Sequence, residues 1–158
     1  MDQAVAPALP AGAVDLGPLH DSLGFLLRMA QLQIYDHYFT ELRDFELRPG
    51  EFSALIVIMC NPGIRQGVLA QQLKIKRAHM TKLIRSLEER GYVERTIPDE
   101  DRRSVTLTLT PRGQTSMQWH RQRFMDYERL PKSVLSPQQE RQLIGLLQTF
   151  VGLDEAAP

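Results

Sequence analysis

The segment that follows Lys74 carries residue types that suit contact with a polyanion. With about 100° between successive helical residues, one stripe of this segment is apolar: Met80, Leu83, Ile84 and Leu87. The opposite side holds cationic, hydroxyl-bearing and small side chains: Ala78, His79, Thr81, Lys82, Arg85 and Ser86. Arg and Lys bind guanine edges or phosphates, Thr and Ser bind either, and Ala leaves room for a thymine methyl group. The pattern therefore predicts a helix that reads the major groove of double-stranded DNA.

The start of this helix is unusual because it is basic and lacks a capping residue. Ser, Thr, Asp or Asn at the N-cap would stabilise the helix by about 1 kcal/mol, yet residues 74–77 are Lys-Ile-Lys-Arg. The cations Lys76 and Arg77 also oppose the helix dipole, at a cost of roughly 0.3–1 kcal/mol. A phosphate bound here would reverse both effects. The alternative is that both side chains point into solvent, where water screens the dipole.

The net charge of zero hides an uneven distribution of charge along the chain. Residues 74–103 contain nine Lys or Arg and six acids, which leaves +3 for this segment and −3 for the rest. A polyanion responds to a local basic surface more than to the total charge. The distribution is therefore compatible with a nucleic-acid partner.

Several other classes of protein are disfavoured. One cysteine, Cys60, excludes a disulfide framework, and no Cys/His cluster has metal-ligand spacing, so we expect no metal or other cofactor. No apolar run is long enough to cross a membrane, and no Lys or Arg precedes Arg28, so we expect a cytoplasmic protein without a secretory signal. The sequence contains no phosphate-binding loop and no Gly-x-Ser-x-Gly motif. His79 and Ser86 could suggest a Ser/His catalytic pair, but a helix would hold them about 10 Å apart, beyond hydrogen-bond reach. We therefore do not expect an enzyme.

The periodicities predict a mainly α (α+β) fold, a winged helix-turn-helix with a helical dimerisation arm and the element order ααααββαα. The expected helices lie at about 17–45, 49–60, 65–73, 76–90, 111–130 and 136–151, and the strands at 92–97 and 104–110. In the third helix, Val68, Leu69 and Leu73 should face inward. The expected domains are a mobile N-terminal tail (1–16), the dimerisation arm (17–46 and 111–153), the DNA-binding domain (47–110) and a C-terminal tail (154–158).

The hairpin that follows the basic helix carries a recognisable series of motifs. Arg95 leads out of the first strand, Asp101-Arg102-Arg103 forms the turn, and Leu109-Thr110-Pro111-Arg112-Gly113 ends the second strand. These motifs resemble the wing signature of the MarR family (multiple antibiotic resistance regulators). The resemblance extends backward through LEERGYVER and the helix-turn-helix and forward to the terminal helices, so it covers about residues 18–153. The resemblance implies a winged-helix homodimer whose fourth helix enters the major groove.

The resemblance also assigns roles within the wing. Arg103 would read the flanking minor groove, and Asp101 would orient Arg103 or Arg95 through a charge-assisted hydrogen bond. The predicted DNA-binding residues are Lys76, Arg77, Ala78, His79, Thr81, Lys82, Arg85, Arg95, Asp101, Arg102 and Arg103. The alternative is that residues 99–103 form a solvated turn with internal ion pairs.

The resemblance further implies an effector site between the arm and the winged domain. Its candidate residues are Arg28, Tyr35, His37, Tyr38, Phe52, Met59, Trp119, His120 and Arg123. Aromatic walls with one or two cations suit an aromatic acid or its acyl-CoA thioester. The implied function is a repressor that binds pseudo-palindromic operator DNA and releases it when the effector binds. For each aromatic residue the alternative is an ordinary core position.

Two alternatives share the same fold. An oxidation sensor would use Cys60 as an accessible, reactive thiol, but this cysteine ends an apolar helix, so we expect it to be buried and inert. A protein-interaction module of this fold would bind no DNA. A steep loss of duplex affinity with salt would distinguish a regulator from such a module.

Overall fold

The computed structural model describes residues 14–41, 47–97, 104–128 and 135–153, and it gives only the backbone at 37, 39–41 and 122–128. The chain divides into two compact units, one that ends at Ala54 and one that begins at Leu55. Most of the two predicted tails, the wing turn at 98–103 and the ends of the first and fifth predicted helices lie outside the described residues.

The first unit begins with two helices where the sequence predicted one. A 3-10 helix spans Gly17–Asp21 and helix α1 spans Leu23–Glu41. Ser22 separates them with an extended backbone (φ −82°, ψ 110°), and its hydroxyl accepts a long hydrogen bond from the Phe25 N–H at 3.4 Å. Serine competes for backbone groups in this way and favours helix caps over helix interiors. The expectation of a single continuous helix from residue 17 was therefore wrong.

Helix α2, Pro49–Cys60, contains the boundary between the two units. In the first unit, Tyr38, Leu47, Phe52 and Ala54 are buried. The Tyr38 hydroxyl donates a hydrogen bond to the Leu47 carbonyl oxygen, so this buried phenol is satisfied within its own unit.

The second unit has the predicted order of elements with one addition. Its elements after α2 are β1 (Ile64–Arg65), α3 (Gln66–Gln72), α4 (Arg77–Glu89), β2 (Val93–Thr96), β3 (Thr106–Leu109), α5 (Pro111–Glu128) and α6 (Pro137–Val151). The strands form an antiparallel sheet in the order β1-β3-β2. The sequence did not predict β1, because two residues are too few to show alternation. The expectation of a mainly α winged helix-turn-helix is confirmed.

The core of the second unit follows the predicted apolar faces in most places. Its fully buried side chains include Leu55, Ile58, Leu69, Met80, Ile84, Leu87, Leu107 and Met117. Val68 is an exception: it is 43% exposed, and Ala70 is buried instead. The small alanine allows close approach at the position where α3 meets its neighbours, and Val68 is left on the outer side.

The connection between α4 and α5 explains why the sequence carries Thr110 and Gly113. The Thr110 hydroxyl donates to the Gly91 carbonyl oxygen at 2.6 Å and accepts from the Gly113 N–H at 3.0 Å, so it caps α5. A Cβ at Gly113 would lie 2.1 Å from the Tyr92 carbonyl oxygen. The Thr-x-x-Gly motif is therefore required for packing.

Helix α6 begins with the predicted capping box. The Ser136 hydroxyl accepts from the Gln139 N–H at 3.3 Å, and the Gln139 side chain accepts from the Ser136 N–H at 2.8 Å. Several of its apolar side chains are exposed: Leu143, Ile144, Leu146, Phe150 and Val151. Among the described residues, no helix combines the length and the apolar character that a membrane span requires.

Candidate nucleic-acid interface

Helices α3 and α4 form a tight helix-turn-helix. The turn is held by hydrogen bonds from the Lys74 N–H to the Gln71 carbonyl oxygen (3.1 Å) and from the Ile75 N–H to the Ala70 carbonyl oxygen (2.9 Å). Lys74 takes a left-handed backbone conformation with φ of 54°, which is uncommon for a residue other than glycine. The geometry brings the start of α4 beside the start of α3.

The structure exposes the outward face of α4 as a continuous surface. Met80, Leu83, Ile84 and Leu87 are buried, whereas the predicted contact residues all face solvent: Ala78, His79, Thr81, Lys82 and Arg85. Arg85 forms an ion pair with Glu89 one turn later at 2.9 Å. Because both of these side chains are mostly exposed, the pair contributes little stability and leaves Arg85 able to bind other groups.

The first turn of α4 lacks a side-chain cap, as the sequence indicated. Lys76 occupies the N-cap position without a side-chain hydrogen bond, and the first turn contains no acid. The Lys76 carbonyl oxygen accepts the first helical hydrogen bond, from the Met80 N–H at 2.9 Å. The positive end of the helix dipole and the exposed Lys76 and Arg77 therefore lie together, an arrangement that favours an anion.

Beside this helix start lies a cleft of about 490 Å³. Its walls come from β1, α3, α4 and the residues just before β3: Arg65, Gln66, Gly67, Val68, Ala70, Gln71, Arg77, Met80, Thr81, Ser104 and Val105. Arg65, Gln66, Gln71 and Ser104 were not among the residues predicted from the sequence. Arg65 could have been recognised, since it precedes α3 as Lys76 precedes α4.

Within the cleft, Gln66 and Thr81 form a short hydrogen-bonded chain. The Gln66 side-chain amide donates to the Thr81 hydroxyl at 3.2 Å, and this hydroxyl donates to the Arg77 carbonyl oxygen at 3.0 Å. The Thr81 hydroxyl proton is thus engaged by its own helix. The side-chain oxygen of Gln66 is buried and has no hydrogen-bond partner among the described residues.

In the described part of the wing, Arg95 is paired with the recognition helix. Its guanidinium contacts the Glu88 carboxylate, with the Nε and Nη2 atoms 2.7 and 2.6 Å from Oε2. The remaining predicted wing residues, Asp101, Arg102 and Arg103, lie outside the described residues.

The effector candidates of the first unit have different environments. Arg28 is exposed on α1, and Tyr35 is 38% exposed and accepts a weak hydrogen bond from Gln31 at 3.4 Å. Tyr38 and Phe52 are buried. The backbone of His37 belongs to α1, but its side chain is outside the described structure.

The effector candidates of the second unit line two different cavities. Met59 lies in a cavity of about 360 Å³ with Ile58, Pro62, Thr108, Leu109, Gln114 and Gln118. Trp119 and His120 pack edge to face, with ring centroids 5.9 Å apart. They line a shallow depression of about 550 Å³ with Tyr92, Pro111, Arg112, Thr115 and Ser116. Arg123 belongs to α5, and its side chain is outside the described structure.

Cys60 is exposed, so the expectation that it is buried was wrong. It is the last residue of α2 and lies about 200° around the helix from the buried Ile58, on the opposite side. Apolar composition alone does not bury the end of a helix.

Comparisons with known proteins agree on one family. The model of the MarR family matches residues 47–105. A protein from Thauera aromatica, described as a transcriptional regulatory protein for the hcr operon, is 31% identical over 143 residues, which are 90% of this chain and 86% of that protein. The structure of the transcriptional repressor CouR bound to a 23-mer DNA duplex is similar, with a TM-score of 0.80, 29% identity, and coverage of 89% of this chain and 99% of that one.

A more distant structure shares the fold. The PcaV transcriptional regulator from Streptomyces coelicolor, in complex with its natural ligand, has a TM-score of 0.74 and 20% identity, with coverage of 91% of this chain and 99% of that one. The agreement of the family model, the sequence relative and the winged fold leads to one conclusion. The chain belongs to the MarR family of winged-helix transcriptional regulators.

Proposed function

We propose that this chain represses transcription by binding a pseudo-palindromic operator as a homodimer, with α4 in the major groove and the wing in the flanking minor groove. The observation that carries the proposal is the exposed basic face of α4, whose uncapped start adjoins a cleft with two arginines at its edge. Arg103 is assigned to the minor groove on the family resemblance.

The exposed apolar side chains of two elements support the homodimer. In α1 they include Leu23, Leu26, Met29 and Leu32, and in α6 they include Leu143, Leu146, Phe150 and Val151. Several large apolar side chains exposed on one helix indicate an interaction surface. CouR is bound to a 23-mer duplex, a length that accommodates two half-sites about 10 base pairs apart.

DNA binding is tested by selecting a duplex from a random 23-mer pool and titrating it by fluorescence anisotropy. Arg85→Ala should weaken binding of the selected duplex by about 1–3 kcal/mol, the loss typical of one good contact. Arg141→Ala, which removes an exposed arginine from α6, is the matched control and should have no effect. Failure of the wild-type chain to bind any duplex with steep salt dependence would favour an interaction module instead.

The effector is proposed to be a small aromatic acid or its CoA thioester. Support comes from the exposed Arg28 on α1 and from the depression in which the exposed Trp119 lies beside Arg112. A planar ring can stack on an indole, and a guanidinium binds a carboxylate or phosphate with two hydrogen bonds.

Trp119 is the only tryptophan in the chain, so its fluorescence reports directly on this depression. Substituted benzoates, cinnamates and their CoA thioesters should be screened by thermal shift, and each hit tested for quenching of Trp119 and for release of the selected duplex. A hit that releases DNA without changing the fluorescence would place the effector elsewhere. A complete absence of hits that release DNA would contradict the proposed effector class.

Oxidation sensing through Cys60 is a second candidate, favoured by the exposure of this residue. A sensor thiol must be accessible to its oxidant. If Cys60 is the sensor, hydrogen peroxide should release DNA from the wild-type chain, and Cys60→Ser should abolish that release. We expect Cys60→Ser to leave release by an aromatic effector unchanged.

A further inference from the structure

We propose that the Glu88–Arg95 ion pair is a brace that sets the position of the wing relative to the recognition helix, and that Arg95 is a positioning residue and not a DNA contact. The proposal rests on the proposed DNA-binding function. It concerns a residue that the family resemblance placed among the groups that touch DNA.

The ion pair joins α4, which would enter the major groove, to β2 of the wing, which would meet the minor groove. Glu88 lies in the last turn of α4, and Arg95 is the third residue of β2. Two nitrogens of the guanidinium approach a single carboxylate oxygen, at 2.7 and 2.6 Å. Each side chain is only 34% exposed. Charge-assisted contacts this short, partly shielded from water, restrict direction as well as distance.

The register of the sheet explains why Arg95 points toward α4. Side chains alternate between the two faces of a strand, so Arg95 shares a face with Val93, which is 2% exposed. Arg95 also lies directly opposite Leu107 of β3, which is fully buried. Arg95 therefore belongs to the inner face of the wing, at the edge of the core. Glu94 and Thr96 belong to the outer face.

Backbone hydrogen bonds join the end of α4 to the residues just before β2. The Gly91 N–H donates to the Glu88 carbonyl oxygen at 2.8 Å, and the Tyr92 N–H donates to the Leu87 carbonyl oxygen at 2.9 Å. Beyond Val93, β2 pairs with β3 as far as Thr96, and β3 pairs with β1, so this pairing links the strand to the sheet and not directly to α4. The ion pair adds a second point of attachment, one residue before β2 ends at Thr96. With two attachments the direction of the hairpin is defined.

The pair also reduces the contribution of Arg95 to nonspecific electrostatic binding. A cation that neutralises a DNA phosphate releases counterions, which adds about 0.9 to the slope of log K against log salt. If Arg95 pairs with Glu88 and not with a phosphate, it displaces no counterion, so its removal should leave this slope unchanged. A positioning residue and a phosphate contact are therefore distinguishable by the salt slope.

The chain offers a matched control in the neighbouring residue. Glu89 forms an ion pair with Arg85 at 2.9 Å, but this pair lies within α4 and its side chains are 73% and 63% exposed. Glu88→Gln and Glu89→Gln are the same substitution at adjacent positions. The first breaks a link between two elements, and the second breaks a link within one helix.

The experiment measures binding of the selected operator duplex and of a random-sequence duplex across a range of salt concentrations. Glu88→Gln and Arg95→Gln should each weaken operator binding by about 3–10-fold, as expected for a coupled pair worth about one factor of ten or less. Both should leave the salt slope unchanged and should alter random-duplex affinity much less than operator affinity. The double exchange Glu88→Arg with Arg95→Glu should restore operator binding, and Glu89→Gln should not weaken it.

Two results would contradict the positioning role of the Glu88–Arg95 ion pair while leaving the proposed function intact. In one, Arg95→Gln lowers the salt slope by about 0.9 and weakens both duplexes equally, which identifies a phosphate contact. In the other, Glu88→Gln leaves operator affinity as high as Glu89→Gln does. If the wild-type chain binds neither duplex, the proposed function itself fails. Unfolding temperatures close to wild type show that each variant is folded, and coupling between Glu88 and Arg95 in a double-mutant cycle of unfolding tests the pair without DNA.

Discussion

Single positions in this chain are constrained by contacts with residues distant in sequence, and Gly113 is the sharpest example. The α5 backbone passes so close to the Tyr92 carbonyl group that a Cβ at Gly113 would lie 2.1 Å from its oxygen. The atom in the way belongs to the backbone and is itself held by a hydrogen bond from the Thr110 N–H at 3.1 Å. The connection between the wing and α5 has no space for a side chain here.

Gly113→Ala should therefore destabilise the protein by about 1–3 kcal/mol, the usual cost of overpacking, which lowers the unfolding temperature by roughly 2–12 °C in a chain of this size. Thermal unfolding followed by circular dichroism measures the change. Gly67→Ala is the control, because nothing lies within 4 Å of a Cβ at Gly67 and this residue is also helical. An equal loss in both variants would contradict the steric argument.

Elements differ in how far the sequence could predict them. The apolar stripe of α4 is a local periodicity and was predicted correctly, since its four residues are all buried. Strand β3 was also predicted as a strand, but of its alternating apolar residues only Leu107 is buried. Strand β1 exists only through pairing with β3, and the Glu88–Arg95 contact exists only because a turn brings the two residues together. Tertiary relations of this kind have no local signature. Exposure of Cys60 likewise depends on which side of α2 is covered.

The start of α4 presents a conflict between folding and binding. Lys76 has backbone angles of −59° and 138°, which suit an N-cap residue, yet its side chain caps nothing. Lys76→Asp should stabilise the isolated protein by about 1 kcal/mol through capping and the helix dipole. The same change reverses a charge that faces DNA, so affinity for the selected duplex should fall about tenfold or more.

Thermal unfolding and anisotropy titration of the same Lys76→Asp sample measure the two effects. Lys76→Ala is the matched control, since it removes the cation without adding a cap, and it should weaken DNA binding without raising stability. If the Asp variant became more stable and kept wild-type affinity, the start of α4 would not contact DNA. The prediction thus separates a helix end shaped by binding from one that is merely solvated.

At the scale of the whole molecule, the distribution of charge and the exposed apolar surface point to different partners. The segment at 74–103 carries +3 and the rest of the chain −3, so attraction to DNA is concentrated at the helix-turn-helix and wing. Most of the exposed leucines among the described residues, together with Phe150, lie instead on α1 and α6. One helix-turn-helix makes few contacts, and joining two in a dimer raises affinity by about 10²–10⁴-fold without a new contact.

In the proposed homodimer α6 lies at the interface, so Leu146→Glu should abolish both dimerisation and operator binding. Leu146 is 69% exposed in the single chain, beside Phe150 at 64%, and a carboxylate buried without a partner in the interface would be strongly unfavourable. Sedimentation velocity should show a monomer at micromolar concentration, and operator affinity should fall at least about 100-fold.

Gln148→Glu is the control, because it adds the same charge on the polar side of α6 and should remain dimeric. Since Leu146 is already exposed in the monomer, both variants should keep the fold of the second unit, with circular dichroism spectra like that of the wild type. A Leu146→Glu variant that stayed dimeric and bound operator would show that the interface lies on another face of the molecule.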